Sequence, residues 1–326
     1  MILILSHRDD VGADRVEHHL RELGADVTRF DPGDFPMRAA CSLRFTRAGG
    51  WQRTIERVDA PAIDVNSISA VWLRRPGARQ LPAELDDPVL RRYVADEWSA
   101  LAGDLFSGMD CFWLPAPPAI VRETMRKCRP LMLAHELGFR IPATAFTSRP
   151  QDLFDLHRAH GGNIISKQPS ASAFPAAFDN QLLRYTERVS ARDLGYARRI
   201  RSSPVLVQEN VAKRLEIRVT VVGEHVFAAE IDSQASHRTR QDWRRYDHSS
   251  TPLRVHALPA PVERRCFEIT RRLGLSFGAI DLILTPDDEY LFLEINPAGE
   301  FGWIEDATRM PISTAIADLL RAGEMP

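Results

Sequence analysis

The chain has 326 residues, 44% of them hydrophobic and 26% charged, and its 42 Lys plus Arg against 44 Asp plus Glu give a net charge of −2. That composition belongs to a globular chain with enough length for a sizeable core, and it excludes a largely disordered one. The charge balance gives no case for a nucleic-acid partner, and no apolar run approaches the ~18 residues of a membrane span. Four scattered cysteines without a CxxC pair indicate neither a zinc site nor a disulfide framework. They read as small buried residues of a cytoplasmic protein.

Met1–Leu5 is apolar, but Ser6-His7-Arg8-Asp9-Asp10 follows at once, so it reads as a first buried strand and not as a signal peptide. With a helix over Gly12–Leu23, stopped by Gly24, and a strand over Asp26–Phe30, it predicts a βαβ opening. Cys41–Phe45 and Gln52–Ile55 flank Gly49-Gly50 as a hairpin. A strand at Ala70–Leu73, a helix at Pro88–Phe106 and a strand at Cys111–Leu114 lead to Pro115-Ala116-Pro117-Pro118, which cannot continue a ladder and marks a boundary. A helix over Val121–Leu137 opens the second segment. Strands at Ala143–Thr147, Asn163–Lys167 and Val205–Gln208 follow, with helices at Gln151–His160 and Ala191–Ile200. The last segment has a hairpin of Glu216–Val222 and His225–Asp232, a helix at Val262–Leu273, strands at Phe277–Leu284 and Tyr290–Asn296, and a final helix at Ile312–Arg321. The class is α/β or α+β in three segments, 1–118, 119–204 and 205–326.

The chemistry concentrates in Gly278-Ala279-Ile280-Asp281-Leu282 and Leu293-Glu294-Ile295-Asn296-Pro297. Both strands are apolar, yet each carries an acid where burial is expensive. A turn centred on Asp287-Asp288 sets Asp281 opposite Glu294, and alternation places Asn296 on the face of Glu294. Two carboxylates and an amide oxygen suit Mg²⁺, which shares phosphate oxygens and water with its protein ligands; a wet outer face of an antiparallel sheet is the plainer alternative. Lys167 ends an apolar strand and Lys127 lies in the helix after the proline boundary, either as point charges for phosphates or as solvated lysines. The strand end Gln208-Glu209-Asn210-Val211 can offer backbone groups and a carboxylate to a base. Glu216 and Arg218 share one strand face, as a site pair or as an ion pair.

Taken in order, Lys127, Lys167, Gln208-Glu209, Glu216-Ile217-Arg218, Asp281 and Glu294-Ile295-Asn296-Pro297 resemble the ATP-grasp ligases. The closer resemblance is to the ATP-grasp maturases of ribosomal peptides that make microviridin-type products, the graspetides. It is carried by Leu137-Gly138-Phe139-Arg140-Ile141-Pro142-Ala143-Thr144, Arg218-Val219-Thr220-Val221-Val222-Gly223, Asp242-Trp243-Arg244, Asn296-Pro297-Ala298-Gly299 and, at the N-terminus, Trp72-Leu73-Arg74-Arg75-Pro76.

The resemblance implies an ATP-grasp fold of two α+β lobes behind an N-terminal, Rossmann-like pre-ATP-grasp domain at 1–118, with a central lobe at 119–204 and a C-terminal lobe at 205–326. It implies ATP and Mg²⁺ as cofactors. Lys127 and Lys167 would contact phosphates, Gln208, Glu209 and the backbone near Val211 the adenine, and Glu216 the ribose. Asp281, Glu294 and Asn296 would hold Mg²⁺, and Arg218 and Arg244 would face the transferring phosphoryl group. Ser170-Ala171-Ser172-Ala173 would be the phosphate loop, with Ala and Ser where relatives commonly carry glycine, and Glu300 stands where Gln is expected. The implied reaction activates Asp or Glu side chains of a ribosomal precursor peptide as acyl phosphates and closes ester or amide rings. The alternatives are a ligase adding free amino acids, as the ribosomal-protein glutamate ligases do, and a non-catalytic ATP-binding regulator. A homodimer is the default assembly.

Overall fold

The computed structural model describes residues 1–47, 49–169, 186–235 and 252–323. The chain divides into two compact units, Met1–Pro118 with Pro311–Pro326, and Ala119–Met310. Among the described residues no helix is long and apolar enough to cross a membrane.

In the first unit, β1 (Ile2–Ser6) is buried along its whole length, as expected of an interior strand of a parallel sheet. α1 (Val11–Glu22) starts at Asp10, whose carboxylate accepts from the Gly12 and Ala13 N–H groups. β2 (Val27–Phe30) pairs parallel to β1. β3 (Ala39–Thr46), β4 (Gly50–Arg57) and β5 (Ala60–Asp64) form a separate antiparallel sheet; the hairpin is where the sequence puts it, and β5 extends it. β6 (Ala70–Arg75) and β7 (Phe112–Leu114) complete a parallel sheet of order β2-β1-β6-β7, with α2 (Pro88–Phe106) between them in the chain. Leu3, Leu5, Phe30, Phe35, Ile55 and Trp113 share its core. Arg74, from the Trp72–Pro76 segment, is buried in an ion pair with Asp10 at 3.2 Å.

The second unit opens with α3 (Pro118–Thr124) and α4 (Cys128–Glu136). One helix is expected there from sequence. The break comes because Pro130 has no N–H and its ring clashes with the carbonyl four residues back, so a helix can begin only just before it. β8 (Thr144–Thr147), α5 (Pro150–Ala159), β9 (Ile164–Lys167), β10 (Glu187–Arg188), α6 (Ala191–Gly195) and β11 (Val205–Glu209) follow, in a sheet of order β10-β9-β11-β8. β12 (Leu215–Val222), β13 (His225–Ile231), β14 (Leu253–Val255), α7 (Ala260–Arg272), β15 (Phe277–Leu284), β16 (Tyr290–Asn296) and α8 (Gly302–Thr308) build the second sheet, of order β14-β13-β12-β15-β16. Two elements between 205 and 326 join other parts of the fold than the second sheet. β11 lies between β9 and β8, where its apolar residues are covered from both edges. α9 (Ile312–Ala322) packs on α1 and β6 in the first unit, burying Ile312, Ile316 and Leu320.

Alternation along β12 separates two faces. Ile217, Val219 and Val221 share theirs with Ile280 and Gly278, and a side chain at Gly278 would meet Thr270 of α7. Glu216, Arg218 and Thr220 point the other way, and all three are buried. The four cysteines are free. Burial, with Glu263 adding to it, pushes the Cys266 thiol up to about 12. Cys128, contrary to the expectation of burial, is exposed at the start of α4.

Candidate active site

The β15–β16 hairpin turns over Pro286, Asp287 and Asp288. The Asp288 N–H donates to the Thr285 carbonyl, the Thr285 N–H donates to the Glu289 carbonyl, and Asp288 takes the left-handed conformation at φ 63°. A three-residue loop of this kind suits an Asp at its last position. Leu284 therefore pairs with Tyr290 and Leu282 with Phe292, a register that alone would set Asp281 opposite Leu293. A bulge beside Asp281 makes Leu293 the extra residue and brings Glu294 opposite Asp281 and Asn296 opposite Ala279. The expected pairing is present, produced by a turn centred one half-step earlier plus a bulge.

Across the other edge of β15, Arg218 stands opposite Asp281, and its Nη1 donates to Asp281 Oδ1 at 2.6 Å. Arg218, Asp281 and Glu294 thus form one row over three strands. Glu216 and Arg218 do not pair with each other. Glu216 is buried, and its Oε1 accepts from Lys213 Nζ and from the Ser233 hydroxyl, each at 2.8 Å.

A cavity with about 550 Å³ of empty space, counting open solvent at its mouth, lies between the two sheets of the second unit. β9 and β11 contribute Ile165, Lys167, Gln208 and Glu209; β12, β15 and β16 contribute Glu216, Asp281, Ile283, Leu293 and Glu294; Val211 and Lys213 come from the connection between the sheets. Val211, Ile283 and Leu293 belong to one apolar cluster, and Pro142 and Ile165 also line the space. Flat apolar walls of this sort suit an aromatic base. Gln208 is 2% exposed. Its Nε2 donates to Thr144 Oγ1 at 3.0 Å, while the Thr144 hydroxyl donates onward to the Pro142 carbonyl at 2.6 Å. That chain fixes the amide orientation and leaves Gln208 Oε1 buried without a hydrogen-bond partner. An orphaned acceptor costs about 1–3 kcal/mol, and an amine on a bound base would satisfy it. Glu209 Oε2 accepts from the Ala143 N–H at 3.3 Å.

Seven residues expected from sequence therefore line one cavity: Lys167, Gln208, Glu209, Val211, Glu216, Asp281 and Glu294. Three do not line it. Lys127 is half-buried at the start of α4. Asn296 is exposed at the end of β16, with its Oδ1 accepting from the Ala298 N–H at 2.9 Å. Arg218 reaches the site through Asp281. Arg244, the Asp242–Arg244 motif and the 170–173 loop lie outside the described residues. Lys213 is a cavity cation that sequence reasoning missed; its signal is the Lys-x-x-Glu spacing to Glu216 at the start of β12. Among the described residues no cluster of three or more His, Cys, Asp or Glu could hold a metal by itself. Two carboxylates with an amide oxygen would leave the remaining positions to water and phosphate, which is how Mg²⁺ is usually held.

Residues 1–120 match the family model described as the MvdD pre-ATP grasp domain. The macrocyclase MdnC of Microcystis aeruginosa MRC, solved with the precursor peptide MdnA, is 30% identical over 99% of each chain, with a TM-score of 0.87. A RiPP-associated ATP-grasp ligase of Chryseobacterium gregarium, solved with ADP and a leader and core peptide, is 30% identical over 98% of this chain and 96% of that one, with a TM-score of 0.89. The chain belongs to the RiPP-associated ATP-grasp ligases. A probable alpha-L-glutamate ligase of Photobacterium profundum is also similar, 27% identical over 219 residues that make up 66% of this chain and 69% of the relative. The ATP-grasp fold and the N-terminal pre-ATP-grasp domain expected from sequence are both present in this ligase.

Proposed function

We propose that this ligase is a peptide macrocyclase. It would use ATP to activate Asp or Glu side chains of a ribosomal precursor peptide and join them to hydroxyl or amine side chains of the same peptide as esters or amides. The reading is supported by the likeness to MdnC over the whole chain and by the cavity, whose lining combines apolar walls, an unsatisfied amide acceptor, lysines and a carboxylate pair.

A carboxylate is a poor electrophile at neutral pH, so the carboxylate must first gain a leaving group. One carboxylate oxygen attacks the γ-phosphorus of ATP, ADP departs, and an acyl phosphate results. A hydroxyl or amine then attacks the acyl carbon, phosphate leaves, and the nucleophile loses its proton. Nearly all of the catalysis in phosphoryl transfer is positioning and charge stabilisation. Val211, Ile283 and Leu293 would hold the base, and Gln208 Oε1 would read its amine. Glu216, fixed by hydrogen bonds from Lys213 and Ser233, would take a ribose hydroxyl. Lys167 would neutralise phosphate charge from the edge of β9, Lys127 would add to it, and Arg218 and Arg244 would face the transferring group. Mg²⁺ held by Asp281, Glu294 and Asn296 would supply further neutralisation of phosphate oxygens. The acidic target peptide would be attracted by the local excess of arginine at 186–201, where Arg188, Arg192, Arg198, Arg199 and Arg201 stand against Glu187 and Asp193.

Addition of free amino acids is a second reading, favoured by the likeness to probable alpha-L-glutamate ligases. Hydroxylamine trapping separates activation from ring closure: with ATP and Mg²⁺, the macrocyclase converts precursor side chains to hydroxamates. Trapping that requires an added free amino acid contradicts the proposal.

A further inference from the structure

A second cavity lies wholly within the first unit, with about 910 Å³ of empty space when open solvent at its mouth is counted. It sits at the carboxyl ends of β1 and β2, where Ser6 and Phe30 are the last strand residues, and the β4–β5 turn contributes Val58 and Asp59. Open parallel sheets take ligands in the crevice outside the carboxyl ends of their strands. The reaction proposed above uses none of the residues that line this space.

Most of the charge around the cavity is already paired. Arg8 reaches Asp34 at 3.0 Å, Arg38 reaches Asp59 at 3.2 Å, and Arg29 binds Asp14, with Glu17 at 3.9 Å. Among the lining residues these three arginines stand against three acids, Glu17, Asp34 and Asp59. Two further lining residues differ from them. Asp31 Oδ1 accepts from the Gly33 and Gly77 N–H groups, both at 2.8 Å. A Cβ at Gly77 would stand 2.6 Å from Asp31 Oδ2, so the chain closes on this carboxylate only with glycine there. Arg57 Nε and Nη2 donate to the Pro61 carbonyl at 2.8 and 2.6 Å, and Nη1 donates to the Arg29 carbonyl at 3.5 Å. Neutral backbone groups thus fix both side chains. Among the described residues neither Asp31 nor Arg57 has an ion-pair partner.

We propose that this cavity binds a free α-amino acid, with its ammonium on Asp31 and its carboxylate on Arg57. A simple anion would gain Arg57 but be repelled by Asp31, and a simple cation would meet the reverse. A zwitterion gives each fixed charge a partner of opposite sign, in charge-assisted hydrogen bonds. Because the backbone already holds both side chains, little rotamer freedom is lost on binding. The paired charges that line the rest of the space leave little apolar wall, which favours an amino acid with a polar side chain.

The test is saturation-transfer NMR on the full chain with the protein-forming L-amino acids added singly, followed by calorimetric titration of those that bind. Propionate and propylamine, which carry one of the two charges each, are the controls. At least one amino acid binds, and both controls bind about tenfold more weakly or not at all. Asp31→Asn keeps an acceptor for the two glycine N–H groups, and Arg57→Met leaves the Asp31 contacts untouched. Each weakens the amino acid by about tenfold or more, with melting temperature and ADP affinity near those of the wild type. Should Arg57→Met fail to fold, Asp31→Asn carries the test alone. Absence of binding by every amino acid overturns the proposal. So does an amino acid that binds equally well to the variants, which places it elsewhere on the chain, and so does a control that binds as tightly as the amino acid, which makes this a site for a single charge.

Discussion

Arg218 on β12 stands directly opposite Asp281 on β15, Nη1 to Oδ1 at 2.6 Å, with both side chains largely buried. On its far side Asp281 faces Glu294. The arginine therefore holds one member of the carboxylate pair in place and, in the proposed reaction, adds positive charge beside the transferring group. Arg218→Met is expected to lower kcat/KM by roughly 10²-fold and to destabilise the fold by about 3 kcal/mol, because it strands a buried charge. Arg218→Met/Asp281→Asn should unfold in urea with a smaller loss than the two single losses combined, and should stay inactive by ADP release. Additive stability losses would show that the two groups are not coupled.

Gln208 Oε1 is buried and unpaired beside the apolar walls. If it accepts the 6-amino group of adenine, Gln208→Leu removes that discrimination. The wild type should prefer ATP to inosine triphosphate, and the variant should lose about tenfold of that preference, measured as the ratio of kcat/KM. An unchanged ratio would place the base elsewhere.

Gly299 packs where a Cβ would sit 2.2 Å from the Ala279 Cβ and 3.5 Å from Arg218 Nη2. Asn296-Pro297-Ala298-Gly299 can lie close to the β15 face only without that side chain. Gly299→Ala should destabilise by about 1–3 kcal/mol, and Ala279→Gly in the same chain should recover part of it. A Gly299→Ala protein that melts like the wild type would contradict this packing.

Asp10 couples α1 to β6. Burial raises its pKa, but Arg74, the Ser6 hydroxyl and the Ala13 N–H outweigh it, and the net shift is below the ordinary 3.8. A carboxyl lowered in the folded state contributes stability that is fully present above its unfolded value and is lost as pH falls through the folded one. Thermal melts in acid should therefore show a steep loss below about pH 4. Asp10→Asn should be less stable at neutral pH and should lose less on acidification. An acid limb unchanged by Asp10→Asn would mean that other carboxyls govern it.

Much of the fold was legible where pattern and chemistry agreed. β15, β16 and α2 lie at their expected bounds because continuous apolar runs and a Pro start leave few alternatives. The Asp281–Glu294 pairing was legible, but the bulge at Leu293 that produces it was not, since nothing in an apolar run marks which residue will be extra. The helix break before Pro130 was readable from proline chemistry and was missed. The placement of β11 between β9 and β8, and of α9 on α1, depends on tertiary packing that local pattern does not carry. Lys127 and Asn296 are outside the cavity lining while Lys167 and Glu294 are part of it, a difference that order along the chain does not carry.

The central claim is tested most directly by weighing the intact precursor peptide encoded beside the gene after co-expression with the wild type and with Glu294→Gln. The account predicts loss of one water per bond with the wild type, dependent on ATP and Mg²⁺, and an unchanged peptide with a Glu294→Gln protein that melts near the wild-type temperature. A mass gain of amino-acid residues, or full ring formation by Glu294→Gln, would contradict it.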